Sequence, residues 1–224
     1  MNRTKIEYLD LTWNPTAGCE GLGCAVRKNC WARAMAKRQK HRCELCYTFR
    51  PHVHFERFDQ PFEVKKPSRI GVSFMGDFYD KGIAYNVRAS LYMRMEKASW
   101  HTFIILTKQP QNIDLNEGFP QNVWLGVTVN SEEDLWRIDA LRLIEAKIKF
   151  VSFEPLYGPI CPKKLNLEVI NWIIIGAQTR PELLPNPLWV NSLIEQARER
   201  HIPIFVKNNI TWSYWTEEMK QFPQ

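Results

Sequence analysis

The sequence predicts an α/β fold, a partial (β/α) TIM-like barrel of about six to seven parallel strands. Three observations predict it. Short Val/Ile/Phe-rich runs recur from residue 69 onward: RIGVSFMGD (69–77), HTFIILTK (101–108), VWLGVTVN (123–130), KFVSFEP (149–155), NWIIIGAQ (171–178) and IPIFVKNN (202–209). Near-continuous apolar runs of this length are what strands buried on both faces look like. Segments of helical pattern separate most of them, at 85–99, 131–146 and 187–200. Each run ends on polar residues, as expected where parallel strands deliver side chains to a functional face at their carboxyl ends. A doubly wound sheet is the alternative reading of the same alternation.

Taken in order, residues 4–13 alternate loosely and predict a first strand. Residues 12–38 then read TWNPTAGCEGLGCAVRKNCWARAMAKR and place Cys19, Cys24 and Cys30 in a loop bearing Gly18, Gly21 and Gly23. Ala32–Lys40 carries helix propensity, with no proline before Pro51. Residues 41–66 have no period and hold Cys43, Cys46, His52, His54, Pro51 and Pro61, which suggests an ordered Cys/His-bearing insertion in one domain spanning 1–224. The link between 108 and 123 is short and carries Pro110 and Pro120, so that crossover should be irregular. Ser131 followed by Glu132, Glu133 and Asp134 is a helix start signal, a capping hydroxyl with acids in the first turn.

With 224 residues and 45% hydrophobic content, the chain is long enough to bury a full core. No run approaches the roughly 18 apolar residues a membrane span needs, and MNRTKIEYLD lacks the apolar middle of a secretory signal. The expectation is a cytoplasmic protein with no membrane partner. In a reducing compartment clustered cysteines are metal ligands or redox groups rather than disulfides. Five of the six cysteines fall within residues 19–46. A net charge of +6 and a pI near 9.0 permit attraction to nucleic acid, with the excess concentrated in Arg27–Arg42 and supplemented by Arg50, Lys65 and Lys66.

The strand ends supply the candidate site residues Gly76, Asp77, Thr107, Lys108, Thr128, Asn130, Glu154, Gln178, Lys207 and Asn208. Glu154 follows Phe150–Phe153 directly, and a carboxylate so placed must be paired or liganded. Asp77, Glu154, Lys108 and Lys207 could form an acid/base site, since a desolvated lysine serves as base or nucleophile. In the cysteine loop, three thiolates can hold three irons of a 4Fe–4S cluster and leave one iron open. Four thiols, for instance Cys24, Cys30, Cys43 and Cys46, could instead close a tetrahedral zinc site. Spacing alone leaves both open.

The chain resembles a phage-associated, radical S-adenosylmethionine (SAM)-like protein family. The resemblance runs through TWNP, the two GC pairs and CWAR, then FRPHVHFERFDQPFEVKKPSRIGVSFMGDFYD, ILTKQPQNI, NVWLGVTV, VSFEPLYGPI, NWIIIGAQ and IPIFVKNN, and so covers nearly the whole chain in order. It implies a radical-SAM-type partial barrel, a 4Fe–4S cluster on Cys19, Cys24 and Cys30, and SAM on the fourth iron. It further implies Trp31 against the adenine, and Gly76 and Asp77 holding the SAM amino group. Thr128, Asn130 and Glu154 would lie toward ribose, carboxylate or substrate. The polar strand ends themselves add Gln178 to the candidate cofactor-binding set and make Glu154, Lys108 and Lys207 the candidate catalytic groups. An electron donor for the cluster and an unidentified substrate, for which nucleic acid is one candidate, would be the partners. Two departures stand out. The spacing here is C-x4-C-x5-C rather than C-x3-C-x2-C, and Trp31 replaces the usual Tyr. Cys43 or Cys46 could add a fourth thiolate, or join His52 and His54 in a second, zinc-like site. The alternative function is a nucleic-acid-binding protein stabilised by zinc or a closed iron–sulfur site, without SAM cleavage.

Overall fold

The computed structural model describes residues 1–21, 23–211 and 217–224. Two compact units make up the chain, Met1–Trp124 and Leu125–Gln224. Both are mixed α/β, and the pairing of their main strands is mostly parallel.

The first unit contains β1 (Asn2–Arg3), β2 (Leu11–Trp13), β3 (Thr16–Ala17), α1 (Trp31–Ala36), α2 (Glu44–Thr48), β4 (His52–Val53), β5 (Arg69–Val72), α3 (Tyr85–Lys97) and β6 (Thr102–Thr107). Its main strands run in the order β1-β2-β5-β6. Leu11 stands opposite Ile70 and Arg69 opposite Thr102, both pairings parallel. The first strand is shorter than residues 4–13. Ile6 N–H donates to the Thr4 hydroxyl and Leu9 N–H to the Ile6 carbonyl, a turn that folds Asn2–Arg3 back as an antiparallel edge on β2. β5 likewise stops before residue 77: Ser73 N–H makes a last bond to the Trp13 carbonyl, and its φ of 57° then turns the chain out of the strand.

α3 buries Arg88, Leu91, Tyr92 and Met95, one stripe at i, i+3, i+4, i+7. Arg88 is tolerated there because its guanidinium pairs with the buried Glu117 at 2.9 Å and donates to the Ile83 carbonyl. Asn122 closes the helix end by donating to the carbonyls of Met95, Ala98 and His101. Between 108 and 123 the described elements comprise a single 3-10 turn, Pro110–Asn112, so this crossover is irregular as its prolines predict.

β7 (Val123–Thr128) leads into the second unit, which holds α4 (Trp136–Arg142), β8 (Ile148–Phe153), β9 (Trp172–Ile175), β10 (Gln178–Thr179), β11 (Glu182–Leu183), α5 (Pro187–Glu199) and β12 (Ile204–Val206). The order is β7-β8-β9-β12, with Phe150 opposite Trp172 and Ile173 opposite Ile204 in parallel register. β9 is buried at all four positions, as its apolar run requires. α5 starts at Asn186, whose side chain accepts from Leu188 N–H, and buries Val190, Leu193, Ile194 and Ala197. α4 is shorter than residues 131–146. Glu132–Asp134 forms a 3-10 turn, and the Ser131 side chain caps nothing. Asp134 takes that role in the turn, accepting from Asn130 N–H at 2.8 Å and pairing with Arg137 at 2.9 Å. Among the described residues no helix is long and apolar enough to cross a membrane.

Candidate metal centre

Four donors converge in the first unit. Cys43 is the N-cap of α2, and its sulfur accepts from Cys46 N–H at 3.4 Å. Phe49 ends α2 in the left-handed region at φ 58°, with its N–H on the Cys46 carbonyl. The chain then turns into β4, which pairs antiparallel with β3 so that His52 faces Ala17, and His54 N–H donates to the Pro15 carbonyl. Residues two apart on extended chain share a face, so both imidazoles return toward the two thiols.

The four ligand atoms lie within 4.8 Å of one another. His52 Nε2 is 3.7 Å from Cys43 Sγ and 3.3 Å from Cys46 Sγ, and His54 Nε2 is 3.2 Å from Cys46 Sγ and 2.9 Å from His52 Nε2. A tetrahedral zinc ion, with Zn–S about 2.3 Å and Zn–N about 2.0–2.1 Å, holds sulfur and nitrogen about 3.6 Å apart and two nitrogens about 3.3 Å apart. The group matches that spacing closely enough to hold a metal ion, and its two thiols and two imidazoles are a donor set that fits zinc.

The outward ring nitrogens strengthen the case. His52 Nδ1 lies 2.7 Å from the Arg50 carbonyl and His54 Nδ1 2.9 Å from a Glu56 carboxylate oxygen. Both partners only accept, so both Nδ1 atoms carry hydrogen. In neutral rings the two Nε2 atoms then present bare lone pairs to each other, an arrangement that a cation between them relieves. Charging a ring instead is disfavoured at His54, whose pKa is lowered by burial, then by Arg57 and His52. Burial, followed by the hydrogen bond with Cys43, pushes the Cys46 thiol up to about 11. A bound metal reverses that preference by stabilising the thiolate.

The loop cysteines are organised differently. Among the described residues Cys19, Cys24 and Cys30 do not form a convergent donor group of this kind. Cys30 is the N-cap of α1, accepting from Arg33 N–H at 3.4 Å. Cys19 and Cys30 pack against Ala32, Ala36 and Phe49. The Cys19 thiol is pushed up to about 12 by burial, then by the charges of Asp77, Cys30, Asp80 and Cys24. The loop is pinned at both sides of Cys19. Gly18 N–H donates to the Met75 carbonyl, and Glu20 N–H to the Asp80 carboxylate at 2.9 Å. Gly18 has φ +79°, and a Cβ there would stand 2.1 Å from the Arg50 carbonyl oxygen. A Cβ on Gly76 would stand 2.3 Å from the Gly18 carbonyl oxygen, so Gly76 is glycine because two backbones meet there. Four-cysteine closure by Cys24, Cys30, Cys43 and Cys46 is not what the fold builds, since Cys43 and Cys46 face the two histidines.

Asp77 is buried and accepts from Tyr79 N–H, the Thr107 hydroxyl at 2.6 Å and Lys108 N–H at 2.9 Å. Burial raises its pKa against the pull of those bonds. Asp80 and Thr107 are the partners that sequence reasoning did not connect to it or to the loop. Trp31 is exposed at the first turn of α1.

In the second unit, Glu154 is ion-paired with Lys207, as its position demanded. Gly176 leaves room for that pair, since a Cβ there would lie 3.0 Å from Glu154 Cγ and 3.1 Å from Lys207 Cδ. Gln178 accepts from the Tyr157 hydroxyl and donates to the Pro181 carbonyl. The Asn130 amide nitrogen donates to the Pro155 carbonyl, while Thr128 Oγ1, Asn130 Oδ1 and Ser152 Oγ are buried with no partner among the described residues. Ser152 carries no motif signal that could have singled it out.

A family model described as "Protein of unknown function (DUF5131)" matches residues 3–222, and the chain belongs to that family. No curated protein and no solved structure matches it.

Proposed function

We propose that this member of DUF5131 is a metal-stabilised nucleic-acid-binding protein, in which one zinc ion on Cys43, Cys46, His52 and His54 fixes a basic surface segment. The convergence of those four donors carries the reading. The segment that leads into the site supports it. Residues 21–43 contain the cations Arg27, Lys28, Arg33, Lys37, Arg38, Lys40 and Arg42 and no acidic residue. All but Arg33 are exposed. A run of that kind attracts phosphate and releases counterions on binding. The zinc would act by holding α2 to β4, since α2 is five residues long and a helix so short does not persist unaided. The test is titration of a labelled oligonucleotide with zinc-loaded and chelator-treated protein at two salt concentrations. Zinc-dependent, salt-sensitive binding is expected, and equal binding without metal would contradict the role given to the ion.

A second reading concerns the loop cysteines. Because Cys43 and Cys46 have histidine partners, Cys19, Cys24 and Cys30 remain as a set of three thiols beside Asp77 and Asp80. This reading assigns them a 4Fe–4S cluster with SAM, and gives the chain the radical-SAM-type partial barrel and an enzymatic role with an external electron donor. The cluster would supply the electron for reductive SAM cleavage. The chain's own part is to pin the loop through Gly18 and Glu20. Anaerobic reconstitution followed by an assay for 5'-deoxyadenosine tests it, and a reduced, SAM-binding protein that never yields that product would exclude it.

A further inference from the structure

We infer that the nucleic acid bound by the segment around α1 and α2 is single-stranded, with bases stacking on Trp31 and Tyr47. This rests on the nucleic-acid reading above and names its substrate class. Cysteine 30 caps α1 so that Ala32 and Ala36 turn into the protein against Phe49. The helical spacing then sends Trp31 and Met35 outward along one stripe, at i and i+4. Trp31 is 46% exposed and Met35 42%. α2 packs against α1 and the turn that follows it, and carries Tyr47, 39% exposed. Arg27 and Lys28 precede the stripe and Lys37 follows, all exposed.

Charge alone does not choose between single and double strands, because both present phosphate. The aromatics do. Duplex bases are stacked on one another and offer a protein only their edges, so an exposed Trp between two groups of cations would meet sugar and phosphate. A single strand offers base faces, and aromatic platforms flanked by cations are how such strands are held without sequence preference. α1 also spans only about 9 Å at 1.5 Å per residue, too short to follow a groove as a recognition helix does.

The experiment uses the full zinc-loaded chain with labelled oligonucleotides of about 16 nucleotides, as single-stranded DNA, single-stranded RNA and duplex DNA. Either single strand should bind at least about tenfold tighter than duplex, and Trp31→Ala should weaken single-strand binding about tenfold while leaving duplex binding unchanged. Tyr47→Ala should act in the same direction, and Trp31→Phe should recover most of the loss. Arg27→Gln should lower the salt dependence of single-strand binding by about 0.7 in log–log slope. Zinc content and circular dichroism of each variant report folding independently. Duplex binding as tight as single-strand binding, or an unchanged affinity in both Trp31→Ala and Tyr47→Ala, would overturn this inference and leave the broader reading standing. Failure of all three nucleic acids to bind would overturn both.

Discussion

Two thiol-rich regions sit close in sequence, yet the chain treats them differently. At Cys43, Cys46, His52 and His54 a one-turn helix cap and a two-residue strand bring four donors within 4.8 Å, and both imidazoles are aimed from behind by acceptors. At Cys19, Cys24 and Cys30 the backbone is held by glycine contacts and by Asp80, and among the described residues the three thiols do not join a convergent donor group. The difference teaches that cysteine density is a poor guide to where a metal is held. What matters is whether short-range geometry points the donors inward and fixes the tautomer of each histidine. The two regions are coupled, because Gly18 of the loop lies against the carbonyl of Arg50, the residue whose oxygen orients His52.

The largest expected effect comes from removing the ion. Cys43→Ser combined with Cys46→Ser should abolish zinc binding. It should lower the thermal midpoint by about 10 °C when free zinc is well above its Kd, which elemental analysis and calorimetry would register. The same double replacement at Cys24 and Cys30 should leave zinc content at one per chain. Next, Gly18→Ala attacks the point where the two regions meet. Its Cβ has neither room nor a suitable backbone angle, and a loss of about 2–4 kcal/mol in denaturant unfolding is expected.

A smaller effect separates the ion from its supports. Glu56→Gln keeps an acceptor for His54 Nδ1 but removes the charge, and zinc affinity by competition with a chelating dye should fall about tenfold.

The smallest effect is alkaline. Folding raises the Cys46 thiol from 9.0 to about 11 and the Cys19 thiol from 9.0 to about 12. A group raised in the folded state contributes stability that is fully present below its unfolded pKa and is lost as pH climbs through the folded one. Metal-free protein should therefore lose stability between about pH 9 and 12. Zinc-loaded protein should lose less, because Cys46 is then held as thiolate, and Cys19→Ser should remove most of the remainder, an ordering that melts at stepped pH would reveal.

Much of this was legible in the residues. The apolar runs mark β5 to β9 and β12, and the helical pattern over 187–200 marks α5 but not its Asn186 cap. Glu154 announced its need for a partner, which is Lys207. The C-x2-C and H-x-H pairs were visible as a second, zinc-like set. The segment holding them looked like an insertion because a five-residue helix and a two-residue strand are too short to show any period. Long-range partners left no trace. Nothing in the sequence ties Asp80 to the amide of Glu20, or Thr107 to Asp77, because such contacts follow from how elements pack. Ser131 misled for a related reason, since Asp134, three residues on, bonds the turn and buries with Arg137.

The most direct measurement is zinc-edge X-ray absorption on protein loaded with one equivalent of zinc. Two sulfurs at about 2.3 Å and two nitrogens at about 2.0–2.1 Å are predicted, with the signal lost in the Cys43→Ser, Cys46→Ser protein and unchanged in the Cys24, Cys30 counterpart. A shell of three or four sulfurs, or one that responds to Cys24 and Cys30 instead, would contradict the assignment of the metal to Cys43, Cys46, His52 and His54.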